Sequence, residues 1–128
     1  MRDVWVIDDD NEMAYAVGLM VKLLGHTTQT FTDPQKAARL MMRNVQPSLI
    51  ILDMNMPNIT GFQMLDFIRQ QLKWKHIPIV ILSVESADVL IDRALEKGAD
   101  FFLSKPMTIE ELDNALNAAR NCHIGQEL

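Results

Sequence analysis

Four places along the chain put a reactive side chain at or just beyond the end of a short apolar run. Val4-Trp5-Val6-Ile7 stops at three acids, Asp8, Asp9 and Asp10. Leu49-Ile50-Ile51-Leu52 stops at Asp53, the run from Ile77 to Leu82 stops at Ser83, and Lys105 follows shortly after Phe101-Phe102-Leu103. Carboxylates gathered at one spot repel one another and need a hard cation, a role that Mg²⁺ fills when a few carboxylates and a phosphate oxygen bind it. A carboxylate beside such an ion can attack phosphorus once the charge on the incoming phosphoryl group is neutralised. Lys105 and the ion supply that neutralisation, and the Ser83 hydroxyl supplies a hydrogen bond to a phosphoryl oxygen. Nucleophile, metal ligands, cation and donor are all present, provided that the fold brings them together.

The elements between these residues alternate in period. Met13, Ala16, Val17, Met20 and Leu24 form a helical stripe that Gly25 closes. Thr27 to Phe31 reads as a strand, and Asp33-Pro34 opens a second helix, with Asp33 as N-cap and Pro34 at the first turn, running to about Asn44. Met64, Leu65, Ile68 and Leu72 mark a third helix, with Trp74 near its end. Leu90, Ile91, Ala94 and Leu95 mark a fourth that ends at Gly98. Thr108-Ile109-Glu110-Glu111 is a capping box that opens a fifth, with Ile109, Leu112, Leu116 and Ala119 on one face. Strand and helix thus alternate five times. Strands apolar on both faces and separated by helices make a five-stranded parallel sheet with helices on both sides, an α/β class. Ligands of such sheets sit beyond the carboxyl ends of the strands, where Asp8, Asp9, Asp53, Ser83 and Lys105 all fall. If the strand order is 2-1-3-4-5, strands 1 and 3 are neighbours and their carboxylates converge. One domain over residues 1–121 is expected, with 122–128 as a polar tail.

Four stretches together carry a resemblance: Val6-Ile7-Asp8-Asp9-Asp10, Leu49 through Asp53 to Pro57, Ile81-Leu82-Ser83, and Gly98 through Lys105 to Pro106. Each is weak alone, but four in this order, each at a strand end, are specific. The chain resembles the receiver domains of two-component response regulators, the CheY-like branch of the flavodoxin-like fold, over about residues 3 to 120. The resemblance implies the order 2-1-3-4-5, Asp53 as phosphoacceptor, and one Mg²⁺ held by Asp8, Asp9, Asp53 and the backbone carbonyl of Met54. It implies that Ser83 and Lys105 contact the phosphoryl group and that Phe102 is the switch aromatic. Asn55 and Glu85 match positions that border the hydrolytic water and set the phosphate lifetime. The implied partners are a histidine kinase or phosphotransfer protein upstream, and a downstream protein or fused output domain that reads the surface of helix 4, strand 5 and helix 5. Homodimerisation on phosphorylation is a further implied mode.

Some positions depart from the family pattern. Val84 stands where Ala or Gly is usual and narrows access to the phosphoryl pocket. Phe101 and Met107 replace residues that are often acidic and aromatic in the transcription-factor branch, which weakens that branch's charged dimer interface and offers Phe101 as an exposed interface anchor. The blander readings are an acidic turn capping helix 1 for Asp8 to Asp10, a role that suits Asp10, a helix cap for Ser83, and core packing for Phe101 and Phe102. A phosphohydrolase of the haloacid-dehalogenase type would use Asp8-x-Asp10, but Glu12 stands where it needs Thr or Val, and Asp53 would have no role. A receiver-like interaction module that never takes phosphate would have lost acids or the lysine, and this sequence keeps them.

The resemblance implies a signalling switch rather than a turnover enzyme, and the remaining composition fits a single acidic domain. With 12 Lys+Arg against 17 Asp+Glu the net charge is −5, which gives no electrostatic reason to lie on nucleic acid or an anionic membrane. One cysteine, Cys122, rules out an internal disulfide and fits a reducing, cytoplasmic setting. The three histidines show no metal-ligand spacing.

Overall fold

The computed structural model describes residues 3–127, with side chains through Cys122. The strands are β1 (Asp3–Ile7), β2 (Thr27–Phe31), β3 (Leu49–Asp53), β4 (Ile79–Ser83) and β5 (Phe101–Ser104). The helices are α1 (Asn11–Leu23), α2 (Pro34–Met42), α3 (Gly61–Arg69), α4 (Asp88–Glu96) and α5 (Ile109–Glu127). All strand pairs are parallel, in the order β2-β1-β3-β4-β5. The alternation of periods predicts the parallel sheet covered on both sides, and the doubly wound, flavodoxin-like order is the one the resemblance implies.

Side chains alternate across a strand, so the sheet feeds two cores. Trp5, Ile7, Ile50, Leu52, Ile79 and Ile81 pack against α2, α3 and α4. Val4, Val6, Leu49, Ile51, Val80 and Leu82 pack against α1 and α5. Every residue of β3 and β4 is buried, which is why those strands read as continuous apolar runs. The helix starts follow the local signals. The Asp10 carboxylate accepts from the N–H groups of Glu12 and Met13, and Asp33 accepts from Gln35 N–H ahead of Pro34. Thr60 with Gln63, and Thr108 with Glu111, form reciprocal capping boxes.

Four expectations shift. Helix α3 stops at Arg69, and Leu72, expected on its apolar face, is 79% exposed. The chain instead makes a 3₁₀ turn over Leu72–Trp74 that drives Trp74, fully buried, beneath Phe67 with ring centroids 5.3 Å apart. Pro78 lies outside β4 rather than within it, consistent with its missing N–H. The exposed anchor expected at Phe101 is corrected to a half-buried ring. Alternation turns Phe101 toward the α1 and α5 core, beside Met107, and Phe102 toward the α2–α4 core. The backbone of α5 stays helical to Glu127, where the sequence reading places a tail; no proline between Asn121 and Glu127 stops it.

Arg69 ties the end of the fold opposite the acids. Its guanidinium donates to the carbonyls of Gly98 (2.9 Å), Trp74 (3.2 Å) and Lys75 (3.3 Å) and to the Asp100 carboxylate (3.0 Å). Asp100 also accepts from Ile79 N–H at 2.9 Å. One side chain thereby joins the end of α3 to the starts of β4 and β5. Arg69 itself was not singled out from the sequence.

Candidate functional site

Strand register explains how residues 97 positions apart meet. Ile7 pairs with Leu52, so the next residues, Asp8 and Asp53, lie side by side. Asp53 pairs with Leu82, which sets Ser83 one step beyond, and Ser83 pairs with Ser104, which sets Lys105 one step beyond that. Backbone bonds fix the strand ends: Asp8 N–H to Phe31 carbonyl (3.0 Å), Met54 N–H to Leu82 carbonyl (2.8 Å) and Lys105 N–H to Ser83 carbonyl (2.8 Å). The peptide between Lys105 and Pro106 is cis, a geometry realistic before proline.

The side chains then close on one point. Lys105 Nζ donates to Asp53 Oδ1 at 2.8 Å and to Asp8 Oδ2 at 3.3 Å. Carboxylate oxygens of Asp8, Asp9 and Asp53 all lie within 4.8 Å of one another. Asp8 and Asp53 are buried and Asp9 is the most accessible of the three. Burial is the largest influence on Asp53 and pushes its carboxyl above the ordinary value; the Lys105 hydrogen bond opposes it, and the charge of Asp8 pushes the same way as burial. Burial works to lower the Lys105 pKa, but the hydrogen bond and charge of Asp53, with those of Asp8, outweigh it and hold the ammonium above its usual value. One cation thus stands against a buried acidic cluster. An all-oxygen donor set of this kind suits a hard divalent ion such as Mg²⁺.

The loop after Asp53 is shaped by Gly61, which the sequence marks as a loop glycine without showing what it approaches. Gly61 N–H donates to the Met54 carbonyl at 2.9 Å, which folds Met54–Thr60 back over the strand end. A Cβ on residue 61 would sit 2.6 Å from the Asp53 carbonyl oxygen and 2.7 Å from Met54 Cα. Gly61 opens α3 directly after the loop, and which atoms it faces is a matter of tertiary approach. The Met54 carbonyl, expected as a metal ligand, has one lone pair engaged by Gly61 and a second left over.

Ser83 is fully buried, its hydroxyl oxygen accepting from Glu85 N–H at 3.1 Å, while the N-cap of α4 is Ala87. Ser83 therefore caps no helix. Val84, next to Ser83, is 66% exposed, and Asn55 and Glu85, two residues beyond Asp53 and Ser83, are exposed. Asp10 is turned away to cap α1, so the pair needed for a dehalogenase-type reading is split, and Asp53 takes the place beside Asp8 and Asp9.

Comparison with known proteins gives the same direction. Residues 4–117 match the family described as "Response regulator receiver domain". The chain is 33% identical over 124 residues to the KDP operon transcriptional regulatory protein KdpE of Escherichia coli, covering 96% of this chain and 53% of that protein. It is 31% identical over 113 residues to Protein RcaC of Microchaete diplosiphon, covering 88% of this chain and 17% of that protein. It therefore spans about half or less of these two relatives. Among solved structures, the chemotaxis response regulator CheY4 of Vibrio cholerae superposes with a TM-score of 0.84 at 28% identity, over 93% of this chain and 98% of that one.

Proposed function

Since this chain belongs to the response regulator receiver family, we propose that it is the phosphoacceptor of a two-component phosphorelay, with Asp53 as the acceptor. The observation that carries the reading is the meeting of Asp8, Asp9 and Asp53 around one lysine at the carboxyl end of the sheet. Asp8, Asp9, Asp53 and the Met54 carbonyl would hold one Mg²⁺, which when bound neutralises negative charge on the phosphoryl oxygens. An oxygen of Asp53 attacks phosphorus; the new O–P bond replaces the P–N bond of a phosphohistidine, whose electron pair returns to the imidazole. Lys105 is already 2.8 Å from Asp53 and transfers its hydrogen bond to the phosphoryl group as it arrives. The Ser83 hydroxyl gives up its contact with Glu85 N–H and donates to the same group.

Adding charge at a strand end then biases a packing equilibrium. Phe102, half-buried against the α2–α4 core, turns further inward as Ser83 moves, and α4 follows. That helix is lightly anchored: Ala94 is its only fully buried residue, while Val89 is 74% and Leu95 45% exposed. The surface of α4, β5 and α5 is accordingly the one a downstream protein or fused output domain reads, with Phe101 at its edge. Among the described residues no helix is long and apolar enough to cross a membrane, and the reading places the domain in the cytoplasm beside its kinase. Incubation with acetyl phosphate, with Mg²⁺ or with EDTA, tests the proposal by intact mass. Uptake of one phosphoryl group only with Mg²⁺ supports it, and uptake that ignores EDTA contradicts it.

A further inference from the structure

Charges on two of the outer helices are sorted by sign. Helix α2 carries Lys36 and Arg39, with Arg43 at its C-cap, at i, i+3 and i+7, and no acid between its caps. Helix α4 carries Asp88, Asp92 and Glu96 at i, i+4 and i+8. Each spacing lines its residues along one side of the helix, and all six are exposed. None of the six has an ion-pair partner among the described residues. The one cation within α4, Arg93, is turned away over the Phe62 ring of α3, 5.4 Å from its centroid. Like charges three or four residues apart weaken the helix that bears them, so neither stripe serves its own helix.

Their placement makes the two stripes complementary. Helices α2, α3 and α4 cover one face of the sheet. Helix α3 lies between the others: it shares an apolar groove of about 470 Å³ with α2, and it joins α4 through Phe62–Arg93 and the Lys97–Asp66 ion pair at 3.1 Å. All three follow parallel strands and so run in the same direction. A two-fold axis along α3 sets α2 of one copy against α4 of the other, and α4 against α2, in parallel. Both contacts then join three cations to three acids. On and just after α3, Gln63 and Gln70 are exposed and uncharged, the partly exposed Asp66 is neutralised by Lys97, and exposed Met42 and Val89 add apolar area beside the stripes.

We infer that the occupant of this face is a second copy of the chain, in an isologous dimer held by α2–α4 charge pairing. It needs no phosphate on Asp53 and does not rest on the reading above. An anionic membrane or nucleic acid fits poorly, because the acids of α4 stand on the same face as the cations of α2. The attraction is between exposed groups, so the dimer is weak and salt-sensitive.

Sedimentation equilibrium of the 128-residue chain tests this, at concentrations up to about 1 mM, the weak end of specific association. At about 50 mM salt the chain dimerises, and at about 500 mM it dissociates. The variants Arg39→Glu/Arg43→Glu and Asp92→Lys/Glu96→Lys each self-associate at least about tenfold more weakly, since two of the three pairings at each contact become repulsions. Mixed in equal amounts they form a heterodimer in which both contacts are again complementary, and affinity returns. Concentration-dependent amide shifts of the unmodified chain, confined to α2, α3 and α4, give a second readout free of any folding defect in the variants. A chain that stays monomeric, an association that ignores the reversals, or a mixture that stays monomeric overturns the inference.

Discussion

Gly61→Ala is the substitution whose effect the coordinates set most closely. The added Cβ would lie 2.6 Å from the Asp53 carbonyl oxygen, 2.7 Å from Met54 Cα and 3.3 Å from the Asp53 carbonyl carbon. These are backbone atoms, so no flexible side-chain end can swing aside. Reaching an ordinary contact of about 3.4 Å requires a retreat of about 0.8 Å between the start of α3 and the end of β3. Overpacking of this kind costs about 3 kcal/mol, against about 1 kcal/mol gained by replacing glycine within a helix. The net loss is then about 2 kcal/mol, read as a lower urea midpoint at unchanged slope. The same retreat carries Asp53 away from Lys105 Nζ, now at 2.8 Å. Misplacement approaching 1 Å costs up to about 100-fold in rate, so the initial rate of phosphoryl uptake from acetyl phosphate falls by one to two orders of magnitude. A variant with the parent urea midpoint and the parent rate refutes the claim that this close approach positions Asp53.

Three further outcomes follow from the same geometry. Arg69→Ala leaves Asp100 without its guanidinium partner and frees three carbonyls, lowering unfolding stability by about 3 kcal/mol in urea titration while leaving the distant acidic site able to take phosphate. Asp53→Asn raises the urea midpoint at pH 7 in EDTA. The buried Asp53 carboxyl has a raised pKa, so its protonated form favours the fold below the ordinary carboxylate pKa, and that benefit is lost as pH rises through the folded value; in the parent, stability gains on acidification over that window are correspondingly absent from the Asn variant. Val84→Ala removes bulk next to Ser83, where Val84 is 66% exposed, and shortens the phosphate lifetime in a decay assay followed by intact mass; an unchanged lifetime removes Val84 as an obstruction to water.

Local chemistry made much of the fold legible. Continuous apolar runs gave β3 and β4, and the caps at Asp33 and Thr108 gave the starts of α2 and α5 because each signal acts within one helical turn. The site residues were legible because each stands at or just beyond a strand's carboxyl end, a place where parallel sheets put chemistry. What escaped depended on distant partners. Leu72 fits the α3 stripe by spacing, yet burial of Trp74 bends the chain away first. Arg69 reads as an ordinary surface arginine until the Gly98 and Asp100 segment folds against it. The side of the sheet taken by Phe101 follows from alternation, but how far Met107 and α5 cover it does not. Gly61 carries no signal of the backbone 2.6 Å away.

The central claim is that the carboxylate paired with Lys105 is the one that receives phosphate. Intact-mass measurement of the parent chain and of Asp53→Asn, each incubated with acetyl phosphate and Mg²⁺, tests it most directly, with peptide mapping to locate the modification. The account predicts one phosphoryl group on the parent, located at Asp53, and none on the Asn variant. Equal uptake by both proteins, or a phosphoryl group mapped to another residue of the parent, contradicts it.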